Sequence, residues 1–142
     1  MFVGKLPAVP PTAPLPRPTD AELAILRVLW SKGPSTVRQV YAVVADGRTL
    51  VYTTVLKLLQ IMTDKGLTTR ESLGQQHVYT ARRTEQDTQR QLVTHLLDRA
   101  FAGSTSQLVM QALASATASP AELRDIRRLL SEASAAAKEK KS

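Results

Sequence analysis

Thr53, Thr54, Lys57 and Gln60 bring two hydroxyls, an ammonium and an amide together within one short stretch of chain. On a helix of about 3.6 residues per turn, Thr53, Lys57 and Gln60 share a face with Asp64, and Thr54 and Ile61 flank it. Val55, Leu58, Leu59 and Met62 fall opposite and form an apolar stripe. Such a polar face can meet base edges and phosphates in a major groove. At the start of a helix, Thr53 and Thr54 can also hold a phosphate beside free backbone N–H groups. An ordinary solvated helix face is the plain alternative. A second polar cluster, Arg70, Gln75, Gln76 and His77, surrounds a glycine-containing turn. That turn can reach a phosphate or a minor groove, and a hairpin that only covers the core fits the same pattern.

Other chemistries find little support. The chain has no cysteine, which removes disulfides, thiolate metal sites and a Cys nucleophile together. His77 and His95 fall in segments of different type, with no partner at ligand spacing, so neither a metal nor a cofactor is expected. His77 reads as a donor on the turn, and His95 as a helix-surface or dimer-interface residue. No carboxylate pair, Ser/His/Asp set or phosphate-binding glycine loop is present, so an enzyme is not expected. Glu22, Glu85 and Glu122 read as capping or first-turn acids.

The net charge is +7, which favours polyanionic partners. Residues 19–83 hold nine Lys/Arg against five Asp/Glu, whereas residues 84–142 hold eight against seven. The excess therefore sits in the front of the chain, where the polar face lies. No apolar run is long enough to span a bilayer, so no membrane insertion is expected. Prolines interrupt the first residues where a signal peptide would need its apolar stretch, and a cytoplasmic location is expected.

The elements that must position these residues follow from periodicity and stop signals. Six of the eight prolines fall within residues 1–18, which read as a Pro-rich disordered tail. Thr19-Asp20-Ala21-Glu22 matches a capping box. It opens a helix to about Ser31 with Leu23, Leu26 and Trp30 on one stripe and Ile25 and Leu29 beside it. Gly33 and Pro34 end that helix. Ser35-Thr36 can cap a second helix through Ala45, with Val37, Val40, Tyr41 and Val44 inward. Asp46-Gly47-Arg48 turns the chain into a third helix, from about Tyr52 to Lys65, which stops at Gly66.

The period then changes to two. Residues 67–73 and 77–81 read as strands around Gly74-Gln75-Gln76, with Leu67 and Val78 taken as core. From about Glu85 the helical period returns in three further helices, to about Phe101, from Ser104 to about Thr117, and from the capping box Ser119-Pro120-Ala121-Glu122 onward. The expected fold is mainly α with a small β-hairpin wing: a winged helix-turn-helix over residues 19–83, then a C-terminal helical dimerisation domain over 84–136. A charged tail over 137–142 completes the chain.

Thr19-Asp20-Ala21-Glu22-Leu23, Val28-Leu29-Trp30, Tyr52-Thr53-Thr54-Val55-Leu56, Asp64-Lys65-Gly66-Leu67 and Val78-Tyr79 occur in an order and spacing that resemble the BlaI/MecI/CopY penicillinase-repressor family. The resemblance covers roughly Pro18 to Leu130. It implies a homodimeric repressor on a palindromic operator of double-stranded DNA, controlling resistance or stress genes. It also implies that Thr53, Thr54 and Lys57 sit at the groove, with Arg38 and the basic wing near the backbone, and Tyr52 is counted with them among the DNA-binding residues. Many relatives carry Arg where this chain has Ile61, and some where it has Leu56, which implies a different operator preference. Copper sensing through the C-terminal cysteines of one branch is excluded here. In β-lactam-responsive relatives a membrane sensor protease triggers cleavage in the C-terminal domain. In the matching segment the Asn-Phe pair of those relatives is replaced by Gln111-Ala112, which weakens that partner assignment.

Leu92, Leu96, Leu108, Val109, Leu113, Leu123, Ile126 and Leu130 line the C-terminal helices, which are too short to close a core alone. A second copy would supply the missing surface, while packing on their own winged helix is the alternative. A winged-helix module that binds protein and not DNA remains the rival function, and the exposed flank at Ile61 is the feature in its favour.

Overall fold

The computed structural model describes residues 16–46 and 50–141. The Pro-rich stretch up to residue 15 and the turn at Gly47-Arg48 lie outside the described residues. In chain order the elements are α1 (Asp20–Lys32), β1 (Ser35–Thr36), α2 (Val37–Val44), α3 (Tyr52–Lys65), β2 (Thr68–Leu73), β3 (Gln76–Ala81), α4 (Glu85–Ala100), α5 (Thr105–Ser115) and α6 (Pro120–Lys141). The chain divides into two compact units, Met1–Thr94 and His95–Ser142, and the division falls inside α4.

In the first unit α1 and α2 each start on a short polar exchange. The Glu22 N–H donates to Thr19 Oγ1 at 3.2 Å, and the Thr19 N–H donates back to Glu22 Oε1 at 2.9 Å. Thr36 and Gln39 repeat the exchange at α2, at 2.9 and 3.2 Å. Each pair satisfies donors that a helix terminus otherwise leaves unpaired. Ser35 is freed from capping: its hydroxyl donates to Gly33 O at 2.8 Å, and its backbone enters β1. At the far end of α3, Gly66 takes the left-handed conformation (φ 86°), and the Leu67 N–H reaches back to Met62 O at 2.8 Å. This closure reverses the chain into the hairpin.

Ile25, Leu26, Val28, Leu29, Val37, Val40, Val44, Val55, Leu59, Met62, Leu67 and Tyr79 form one core. The stripe on α1 is displaced from the expected one. Leu26, Ile25 and Leu29 are buried as expected and Val28 joins them, whereas Leu23 and Trp30 are only half-buried, because α1 is covered by α2, α3 and β3. Trp30 serves at the edge, where its indole N–H donates to Arg83 O at 2.9 Å.

The sheet has a strand that periodicity did not reveal. β1 pairs antiparallel with β3 (Ser35↔Tyr79, Thr36↔Val78), giving the order β1-β3-β2. Its presence makes β3 the central strand, and Tyr79 is the residue buried there. Val78, expected in the core, points to the other face and is half-buried. The Tyr79 ring fills the core, and its hydroxyl finds no hydrogen-bond partner among the described residues.

Glu22 ties two distant ends together. Its carboxylate is 2% exposed and accepts from Lys65 Nζ at 2.8 and 2.9 Å, joining the start of α1 to the end of α3. Burial pushes the Glu22 carboxyl pKa up. The Lys65 hydrogen bonds and charge, together with the Thr19 hydrogen bonds, outweigh that effect and hold it below its ordinary 4.5.

The C-terminal helices differ in kind. Thr88 is the last buried side chain along the chain among the described residues, and none is buried in α5. α5 opens on Ser104, whose hydroxyl accepts from the Gln107 N–H, and it ends at Ser115, two residues earlier than expected. α6 opens on the Ser119–Glu122 exchange and runs on to Lys141. The tail expected over 137–142 is thus helical as far as it is described, since Ala135-Ala136-Ala137 and the Lys/Glu residues after it are good helix formers with no Gly or Pro among them.

A folded pKa below 4.5 means that Glu22 stabilises the fold fully at neutral pH and loses this contribution as pH falls through its lowered value. Glu22→Gln keeps the cap acceptor but strands the Lys65 charge. Because Lys65 is 29% exposed, the expected cost at neutral pH is about 2 kcal/mol, less than for a fully buried pair. Denaturant unfolding from about pH 7 to about pH 3 should show the two proteins converging in stability as the carboxylate protonates. Parallel curves would contradict this role.

Candidate nucleic-acid interface

α3 presents its two sides as the spacing requires. Val55, Leu59 and Met62 are fully buried, while Thr53, Thr54, Lys57, Gln60, Ile61 and Asp64 are exposed. The start of α3 is unlike those of α1 and α2. Its N-cap is Val51, and no side chain caps it. The Thr54 and Val55 N–H groups both turn to Val51 O, at 3.1 and 3.3 Å. Tyr52, Thr53 and Thr54 open this turn, at the positive end of the helix dipole.

Arg38 and Tyr52, both expected among the DNA-binding residues, meet at this end. The Arg38 guanidinium of α2 lies 5.5 Å from the centroid of the Tyr52 ring. Tyr52 in turn packs edge-on against Tyr41, with centroids 5.7 Å apart and rings inclined by 70°. The stacked ring limits the freedom of Arg38 and holds a cation close to the uncapped turn of α3.

The wing residues are divided by the pairing register. Arg70 faces Tyr79 across the hairpin and Ser72 faces His77, so these four share one face with Thr68. Thr68 is hydrogen-bonded to Thr63 of α3 at 2.9 Å, which makes this the face that continues from α3. Ser72 Oγ and His77 Nδ1 lie 3.3 Å apart and fix the imidazole beside Arg70 on that surface. Gln76 pairs with Leu73 on the opposite face, with Glu71 and Val78. Gln75 stands in the two-residue turn after Gly74, whose φ is 64°. Arg70 and His77 are therefore brought together, and Gln75 and Gln76 are set apart from them. Ser72 and Leu73 were not singled out from sequence, because only the register reveals their neighbours.

The residues assigned to a second copy lie on α4, α5 and α6. Leu92, Leu108, Val109 and Ile126 are half-buried, and Leu96, Leu113, Leu123 and Leu130 are exposed. His95 is half-buried on α4. Among the described residues no helix is long and apolar enough to cross a membrane.

Comparison with known proteins bears on the same residues. The sequence profile of the family described as penicillinase repressor matches residues 18–132. The proteins named transcriptional regulator BlaI from two strains of Mycobacterium tuberculosis are each 45% identical over 56 residues. That segment is 39% of this chain and 41% of each relative, so the likeness spans about two-fifths of their length. With the profile covering most of the chain, from the α1 cap into α6, this protein belongs to the penicillinase repressor family.

Proposed function

We propose that the chain is a transcriptional repressor that binds double-stranded DNA as a homodimer at a palindromic operator, in control of resistance or stress genes. The observation that carries this reading is the exposed polar face of α3, with its uncapped first turn and Arg38 held over Tyr52 beside it. Thr53 and Thr54 would take phosphate with the backbone N–H groups, and Lys57 and Gln60 would meet base edges. Arg70 and His77 on the inner wing face would lie along the backbone, and Gln75 and Gln76 would act at the tip. Family membership and the likeness to the two BlaI proteins point the same way.

The homodimer rests on the C-terminal helices. Leu113, Leu123, Leu129 and Leu130 are between 44% and 57% exposed in one chain, an arrangement that a monomer in water does not favour. A two-fold axis through these helices would set the two α3 faces about 34–36 Å apart, or a multiple of that, to match half-sites on one side of the duplex. Release by proteolysis fits less well. Gln111 and Ala112 lie inside α5, and the Gln111 carbonyl accepts from the Ser115 hydroxyl at 2.6 Å, so a protease would first have to unwind the helix. The rival reading, a protein-binding winged helix, draws on the exposed Ile61 and Val51.

Binding to a duplex enriched from a random library on the full-length chain should weaken steeply with salt, by about 0.9 log units per log unit of salt for each phosphate neutralised. Lys57→Ala should lower affinity about tenfold. Unchanged affinity and sequence preference would overturn the α3 face, and a failure to retain any duplex would favour the rival module. In sedimentation experiments the wild type should run as a dimer, and Leu113→Glu with Leu130→Glu should shift it to monomer. A monomeric wild type would contradict the proposed assembly.

A further inference from the structure

Leu73 is the most exposed of the large apolar side chains among the described residues, at 61%. It is the last residue of β2, next to the two-residue turn, at the far end of the wing. Along β2 burial falls away from Thr68, and the strand is exposed from Arg70 onward. The tip therefore projects about 16 Å beyond Thr68, at about 3.3 Å per residue. Nothing approaches within 4 Å of the space a side chain at Gly74 would occupy, so the tip is bare on that side as well. The fold gives Leu73 no packing role that accounts for its type. Its cross-strand partner is Gln76, and the half-buried Val78 is only diagonal to it.

The surroundings of Leu73 match one kind of partner. Arg70 lies on the hairpin three residues before Leu73, Arg82 and Arg83 follow the end of β3 at its base, and the single acid of residues 66–83, Glu71, shares the face of Leu73. Arg70 and His77 lie on the opposite face of the same hairpin, and the amides of Gln75 and Gln76 adjoin Leu73 at the tip. A narrow tip with Arg70 on the face behind it, amides beside it and one bare apolar side chain suits a minor groove. Its walls are phosphates, and its floor offers acceptors to amide N–H groups. An apolar side chain inserted there can part a base step and kink the duplex.

We propose that Leu73 is a minor-groove wedge that partly unstacks a base step beside each half-site, so that the wing selects deformable flanking sequence. This rests on the DNA-binding reading of α3. Pyrimidine–purine steps part most easily, so the wing would favour them without a hydrogen bond to any base. The role is separate from that of Arg70 and His77, which act on phosphates.

The test uses full-length protein and a duplex enriched from a random library on it, read by fluorescence anisotropy and by energy transfer between the duplex ends. Wild type should bend the duplex, and replacing the flexible step under the wing with a stiff A-tract should cost it about tenfold in affinity. Leu73→Gln, at an exposed position that leaves folding intact, should bind about five- to tenfold more weakly, bend less and lose the flank preference. Its salt dependence should stay unchanged, since no phosphate contact is lost. Leu73→Met should restore most of the effect. Leu73→Gln binding and bending as wild type, while Lys57→Ala loses affinity, would overturn the wedge and leave the α3 reading standing. A weaker Leu73→Gln with unaltered bend and flank preference would also overturn it, as would a change confined to self-association. If neither Leu73→Gln nor Lys57→Ala changed binding, the α3 reading would fall and the wedge with it.

Discussion

The Glu22 carboxylate sits where three requirements of the fold meet. It accepts the Thr19 N–H that starts α1, and it accepts Lys65 Nζ from the last turn of α3. Burying a carboxylate is expensive unless its oxygens are filled, and here both are. The immediate consequence concerns α3. With Lys65 fastened to α1, and Val55, Leu59 and Met62 in the core, the helix cannot rotate about its axis without breaking one or the other. The polar face of Thr53, Lys57 and Gln60 must then look outward. The next residues, Gly66 and Leu67, close the helix and launch β2, so the same anchor also sets where the wing departs.

The two units solve different physical problems. The first buries an aliphatic core around one tyrosine and carries the proposed DNA-binding face on a braced scaffold. The second keeps its leucines open in a single chain, so on the proposed reading its stability depends on a second copy. Dimer formation and operator binding would then be linked. Two α3 faces held at fixed spacing bind one duplex with the second contact made intramolecular, which raises affinity well beyond that of one face alone. Loss of the C-terminal contacts would release DNA without altering any residue that touches it.

Much of this was legible in the sequence where the signal is local. The exchanges at Thr19–Glu22 and Ser119–Glu122, the stop at Gly66 and the stripe of Val55, Leu59 and Met62 all follow from spacing within one helix. What escaped depends on partners far along the chain. β1 is two residues long and carries no alternation of its own, yet it makes β3 central and puts Tyr79, in place of Val78, into the core. Glu22 was readable as a cap, but its bond to Lys65 crosses 43 positions. The division of the wing into an inner face with Arg70 and His77 and an outer face with Gln76 follows from register alone, and a slip of one residue would reverse it.

Hydroxyl-radical footprinting of the full-length chain on a duplex enriched from a random library tests the central claim most directly. Two α3 faces related by a two-fold axis predict two equivalent protected segments, with centres about 34–36 Å apart along the duplex or a multiple of that. Weaker protection should flank each segment where the wing lies. An unprotected duplex, or one asymmetric patch without a symmetry mate, would contradict the account.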